Sequence, residues 1–359
     1  MNVLLMIIGT RFQLLEAIQI KKNFYNHDVV DVILNSKQFD YRYEKTIKPY
    51  FRNVYRIEDD YFPRKERMFY YVLPQLALLK IGISRPYEYT DVFFWNPGHT
   101  YYYVRRYEIL KKIQYQWHIL QDAQGNYVVN EGYGIFGNYE NNLIGKVTRY
   151  LDNKVFNVDS PKIIDEYLWK PELKLVASKH TVIEVPSIDC TDKKYVRELN
   201  EVFGYEKKEI CDEYVFLDTS HGYLDDEYSM NIIEDLGKRI APRKITVIPH
   251  PGQDISVYDN VKQYINIFEN NVPWEIRCMN GEVQNKIIIG CISSALYFPY
   301  VLFGDTCEVY TFATGMNYEK CIIPKNIFDS MIILLNRVEK YNRHFHIVKD
   351  VDEILSVEK

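Results

Sequence analysis

Short apolar runs and longer stretches of helical periodicity alternate along the whole chain. Val3–Ile8 is a continuous hydrophobic run, and Val29–Leu34, Val54–Ile57 and Asp91–Trp95 follow it. Runs without polar alternation suit parallel strands covered on both faces. Between them, a helix is expected after Thr10, continuing through Leu14, Leu15, Ala17 and Ile18, and others over Arg67–Leu79 and Tyr101–Ile113. Trp117–Leu120 and Tyr127–Val129 read as two short strands. Residues 145–180 are polar and irregular, with Pro161 and Pro171. The alternation restarts near Thr181 with strands at Tyr214–Leu217, Ile245–Ile248, Ile287–Ile289 and Glu308–Thr311, and helices at Tyr228–Ile240, Asn326–Val338 and Val351–Leu355. The pattern therefore predicts an α/β chain with two doubly wound parallel sheets. The boundaries read from it are a first domain over 1–155, a linker over 156–180, a second domain over 181–340 and a tail over 341–359.

Most polar residues of interest follow strands, and in open α/β sheets ligands bind at the carboxyl edge. The strand Ile245–Ile248 stops at Pro249-His250-Pro251-Gly252, because two prolines cannot continue it. His250 at that edge can donate to a phosphate. Ser293-Ser294 follows another strand of the same half, where hydroxyls and free N–H groups favour an anion or act as simple caps. In the first half, Gly9 turns the chain after Val3–Ile8. Thr10 and Gln13 have capping-box spacing, so that turn can take an anion or a sugar hydroxyl. Asn130-Glu131-Gly132 sets a carboxylate after the strand expected at Tyr127–Val129, and Asp122 in the preceding turn is a weaker candidate. Asp59-Asp60 and Asp225-Asp226 are adjacent pairs rather than DxD, and His344 and His346 alternate as on a strand, so structural roles are expected for them.

Composition narrows the classes. A net charge of −5 over 359 residues gives no basic face, so nucleic acid is not an expected partner. The 32 tyrosines and 18 phenylalanines fit a compositional bias, and in loops they could stack on sugar rings. The six cysteines form no CxxC, and most sit in apolar runs as reduced core residues, which suggests a cytosolic compartment. MNVLLMIIG lacks a basic flank and a cleavage site, so it reads as a strand rather than a signal peptide. No apolar run reaches membrane-spanning length. The Lys21-Lys22 and Lys111-Lys112 pairs leave room for a peripheral membrane contact, and self-association is left open.

Five pieces in order, GTRFQLLEAI (9–18), NEGYG (130–134), PHP (249–251), VPWE (272–275) and ISS (292–294), resemble the bacterial sialyltransferases of the lipooligosaccharide and capsule type. That family has a TPxQLL-like opening, a (D/E)(D/E)G motif, an HP motif and a paired serine. The resemblance implies a GT-B architecture, with two Rossmann-like domains facing a central cleft. It implies an inverting, metal-independent transfer of sialic acid from CMP-sialic acid to a terminal sugar such as galactose, with no cofactor. His250 would neutralise the CMP phosphate with Ser293 and Ser294, and Pro251, Glu275, Gly9 and Thr10 would lie on the donor side. Gln13, Trp95 and His99 would line the acceptor side. Glu131 matches the second acid of the family motif, but Asn130 stands where the first acid belongs. Some relatives carry the base in the first loop of the second domain, here Asp218–Asp226, so Asp225 is the rival base. Another CMP-activated acid sugar, a polysialyltransferase, and a non-catalytic nucleotide- or glycan-binding protein are the other readings.

Overall fold

The computed structural model describes residues 1–35, 38–57, 69–70, 72–95, 99–128, 150, 154, 161–219, 224–240, 244–250, 253–269, 271–304 and 307–356. These form two compact units. The first holds residues 1–126, 161–171 and 177–186, and the second holds 127–128, 172–176 and 187–356.

The first unit carries strands β1 (Val3–Ile8), β2 (Val29–Asn35), β3 (Asn53–Ile57), β4 (Asp91–Phe94), β5 (Gln116–Ile119), β6 (Ile163–Leu168) and β7 (Thr181–Glu184). They pair in the order β3-β2-β1-β4-β5-β6-β7, all parallel. The second unit carries β8 (Tyr214–Leu217), β9 (Ile245–Ile248), β10 (Ile265–Ile267), β11 (Ile287–Gly290), β12 (Glu308–Thr311) and β13 (Phe345–Ile347). Their order is β10-β9-β8-β11-β12-β13, again all parallel. Each sheet is wound outward from its first strand in both directions, so each has a switch point: between β1 and β4, and between β8 and β11.

Burial explains why these runs pair. β4, β8 and β9 are buried along their whole length, and β1 from Leu4 onward, as central strands covered by helices must be. The edge strands β3 and β7 are mostly half-exposed. Leu5, Ile7, Val92, Phe94, Trp117 and Ile119 build the core under one face of the first sheet, with Tyr101 from the helix His99–Lys111 and Leu78 from the helix Pro74–Ile81.

The structure differs from the sequence reading in four places. β6 falls inside the expected linker 156–180, and β7 completes the first sheet instead of opening the second half. Asp165 and Glu166 hide β6 from a hydrophobicity pattern, yet both have partners. Asp165 faces His118 at 3.4 Å, and Glu166 accepts from Asn126 at 3.2 Å. The expected strand at Tyr127–Val129 is instead a short helix, Gly125–Val128. It is started by a turn in which the Gly125 N–H donates to the Asp122 carbonyl at 2.9 Å and the Asn126 side chain accepts from the Asp122 N–H at 2.7 Å. The helix expected over Arg67–Leu79 is interrupted at Leu73: Phe69, Tyr70 and Val72 are helical, and a second helix, Pro74–Ile81, has proline in its first turn, where the missing N–H costs nothing, and Gly82 ending it at φ 104°. Finally, the tail belongs to the second unit: β13 extends its sheet, and Asp352 of the helix Val351–Ser356 pairs with Arg239 at 2.7 Å.

All six cysteines are free, but only Cys278 and Cys291 are buried, fewer than their apolar surroundings suggested. His344 and His346 share the carboxylate of Glu308 across the β12–β13 pair. Among the described residues no helix is long and apolar enough to cross a membrane.

Candidate functional site

At the switch point of the first sheet, three strand ends bring one cluster together. After β1, Gly9 and Thr10 lead into the helix Arg11–Asn23. The capping box forms: the Gln13 N–H donates to Thr10 Oγ1 at 3.2 Å, and Gln13 Oε1 accepts from the Gly9 and Thr10 N–H groups at 2.7 and 3.2 Å. That leaves the amide nitrogen of Gln13 aimed at Asp122, beyond β5, where it donates to Oδ1 at 3.2 Å. The indole of Trp95, directly after β4, also hydrogen-bonds to the Asp122 carboxylate. A Cβ on Gly125 would sit 3.1 Å from that indole, so glycine lets the ring lie against the turn. Burial raises the Asp122 carboxyl above its usual range, partly offset by the bonds from Trp95 and Gln13. Ala123, next in the chain, sits at φ 44°, a left-handed conformation unfavourable for a residue with a Cβ. A desolvated carboxylate held by a tryptophan and an amide beside strained backbone is the arrangement a general base needs.

One turn along the same helix, Glu16 is fully buried, and both its oxygens accept the Gln121 N–H, at 2.9 and 2.8 Å. Gln13 and Glu16 therefore clamp residues 121 and 122 from one helical face. Burial raises the Glu16 carboxyl well above its usual range; the Gln121 N–H opposes this, and the charges of Asp122 and Glu166 add to it. A raised folded-state value means that the folded protein holds a proton which the unfolded chain releases. This contribution is fully present below the ordinary carboxylate range and is lost as pH rises through the folded value. Each unit of displacement is worth about 1.4 kcal/mol, and each kcal/mol moves melting by roughly 2–4 °C for a unit of this size. Glu16→Gln keeps an acceptor for Gln121 without the charge. We expect it to melt with the wild type at pH 5 and several degrees above it at pH 8; parallel melting curves at both values would show that Glu16 carries no such penalty.

In the second unit the strand ends place the donor-side candidates. His250 follows β9 and is exposed, its carbonyl accepting from the Gln253 N–H at 2.9 Å. Ser293 and Ser294 follow β11, both half-buried. β8 lies between β9 and β11, so the two groups follow strands about 10 Å apart at one edge of the sheet. Ser293 caps a short 3-10 turn, Ser294–Leu296, by accepting from the Ala295 N–H at 3.3 Å. Gly290 is required before it, since a Cβ there would meet the Leu217 carbonyl at 2.8 Å. Glu275 sits half-buried in the first turn of the helix Trp274–Met279, and burial raises its carboxyl. On the same helix, Arg277 forms a buried ion pair with Glu282 at 2.7 Å, each side chain 4% exposed. Tyr205 donates to the other Glu282 oxygen at 2.7 Å, and the guanidinium lies 4.8 Å from the Phe268 ring centre.

Asp225, the rival base, is the N-cap of the helix Asp226–Arg239. It is 3% exposed, one oxygen accepts from the Tyr228 N–H, and the other accepts from the Asn317 N–H, both at 3.2 Å. With both oxygens engaged by backbone, this carboxylate holds the fold. Glu131 and Pro251 lie outside the described residues, and His99 is described only as the first residue of the helix His99–Lys111. A strand at Tyr127–Val129 makes Glu131 the acid at a strand end, whereas with the helix Gly125–Val128 in its place the acid that follows β5 is Asp122. The signal for it was an acid soon after β5.

No protein-family model matches the sequence, and no curated protein matches it. Solved structures do. An α/β-galactoside α-2,3-sialyltransferase from Photobacterium phosphoreum superposes over 98% of this chain and 99% of its own, with TM-score 0.56 and 13% identity. The GT-B domain of a sialyltransferase from Photobacterium damselae does so over 97% and 99%, with TM-score 0.50 and 12% identity. At these identities the likeness is one of architecture, and it agrees with the strand orders: the chain has the GT-B fold, two Rossmann-like domains built on parallel sheets.

Proposed function

We propose that the chain is an inverting glycosyltransferase that moves sialic acid from CMP-sialic acid to a hydroxyl of a terminal galactose on a bacterial surface glycan, with Asp122 as the base. The observation that carries this reading is the half-buried Asp122 carboxylate held by Trp95 and Gln13 at the switch point of the first sheet. That the two structures above are sialyltransferases supports the choice of donor.

Sialyl transfer asks for two things from the protein. A carboxylate must take the acceptor proton as the hydroxyl attacks, and Asp122 is suited to this by its desolvation. Donors must stabilise the charge that grows on the departing CMP phosphate, the role given to His250 and the hydroxyls of Ser293 and Ser294. A nucleoside monophosphate is already a competent leaving group, so the reaction is proposed to run without a metal.

The test is direct. Purified protein with CMP-sialic acid, lactose and a chelator should release CMP and form sialyllactose, and His250→Ala should lower the rate by about 100-fold or more. Undiminished turnover in that variant would remove the phosphate assignment. CMP binding without transfer to any galactoside would make the chain a binding protein.

A further inference from the structure

The helix Pro74–Ile81, PQLALLKI, has hardly any polar face. Ala77, Leu78 and Ile81 enter the core of the first unit. On the other side, Leu76 and Leu79 face solvent, and Leu73, Val72 and Phe69 in the preceding segment are exposed too, all between 39 and 57%. Leu73 directly precedes the helix, and Leu76 and Leu79 follow at a spacing of three. Single exposed leucines are ordinary, but five exposed apolar side chains within eleven residues of a folded unit mark a surface that is covered in use.

The charges beside this stripe are basic. Lys80 is exposed at its end, with its ammonium 5.1 Å from the ring centre of Tyr70. The helix His99–Lys111 packs alongside and ends in exposed Leu110 and Lys111, followed by exposed Lys112 at φ 54°. An apolar strip with lysines at its end matches an anionic lipid surface, which takes leucines between its acyl chains and lysines at its headgroups. A second copy of the chain fits less well, because a two-fold contact through this face would set lysine against lysine. We propose that this face of the first unit docks on anionic membrane lipid.

Co-sedimentation of the full chain with vesicles tests this. Phosphatidylethanolamine vesicles containing phosphatidylglycerol should pellet the protein at low salt, and phosphatidylcholine vesicles or high salt should release it. Leu76→Asn/Leu79→Asn, checked for wild-type folding by circular dichroism, should weaken binding at least about tenfold. Lys111→Gln/Lys112→Gln leaves the apolar stripe intact and should cost about fivefold for each lysine. Failure of the wild-type chain to pellet with anionic vesicles overturns the proposal, as does unchanged binding by both double variants. Self-association abolished by the leucine variant, with no vesicle binding, would make the face a subunit interface and also overturn it.

Discussion

Asp122→Asn is expected to lower the rate of sialyl transfer by about 100- to 10,000-fold, the range for loss of a general base. Asparagine keeps the size of the side chain and can still accept from Trp95 and Gln13, so the turn Asp122–Gly125 and the Gln13 capping box should persist. Binding of CMP, which engages the second unit in this scheme, should stay within about twofold. The pH dependence gives a second readout. Burial raises the Asp122 carboxyl, so the wild-type rate should fall on acidification at a pH above the ordinary carboxylate range. Trp95→Phe removes one of the bonds that favour the ionised form, so it should move that fall to still higher pH. Glu131→Gln serves as the control, and its rate should stay within about tenfold of wild type. A large loss there with none in Asp122→Asn would transfer the role of base to Glu131.

Arg277→Ala should cost about 3–5 kcal/mol, the penalty for leaving a buried charge without its partner. Glu282 would keep only the hydroxyl of Tyr205 and a backbone N–H from Lys208 at 3.3 Å, both weaker than the guanidinium. For a unit of this size the loss corresponds to a fall in melting temperature on the order of 10 °C. The double variant Arg277→Met/Glu282→Leu removes both charges and should recover most of the stability, since a packed apolar pair escapes the desolvation cost. If the single and double variants melt together, the loss comes from packing against Phe268 and not from the stranded carboxylate.

The parallel sheets were legible because β1, β8 and β11 are apolar runs, and β2, β4 and β9 carry a single polar residue each, Asp31, Asp91 and Thr246, within the apolar run read from the sequence. β6 was missed where the fold uses acids inside a sheet, a choice that hydrophobicity penalises and only partners explain. Asp165 has His118, which stacks on Phe93 at 4.4 Å, and Glu166 has Asn126. The strand expected beyond β5 fails for a local reason: Tyr127-Val128 favours a strand by propensity, but the Asp122–Asn126 turn starts a helix there. The Glu16 clamp could not be read at all, because it depends on a contact between residues 105 positions apart.

The winding of both sheets has a consequence for how the chain is made. β1 leaves the ribosome well before β4, and the flank it offers to β4 stays open until Phe94 has been synthesised. At ordinary elongation rates that is a wait of roughly 5–15 s for one of the most apolar segments, and β8 waits in the same way for β11. The nascent polypeptide thus twice displays a hydrophobic ribbon with a free edge before its partner exists. Each interval is an opening for chaperone capture, and yield during expression should respond to chaperone supply more than to the final stability of the protein.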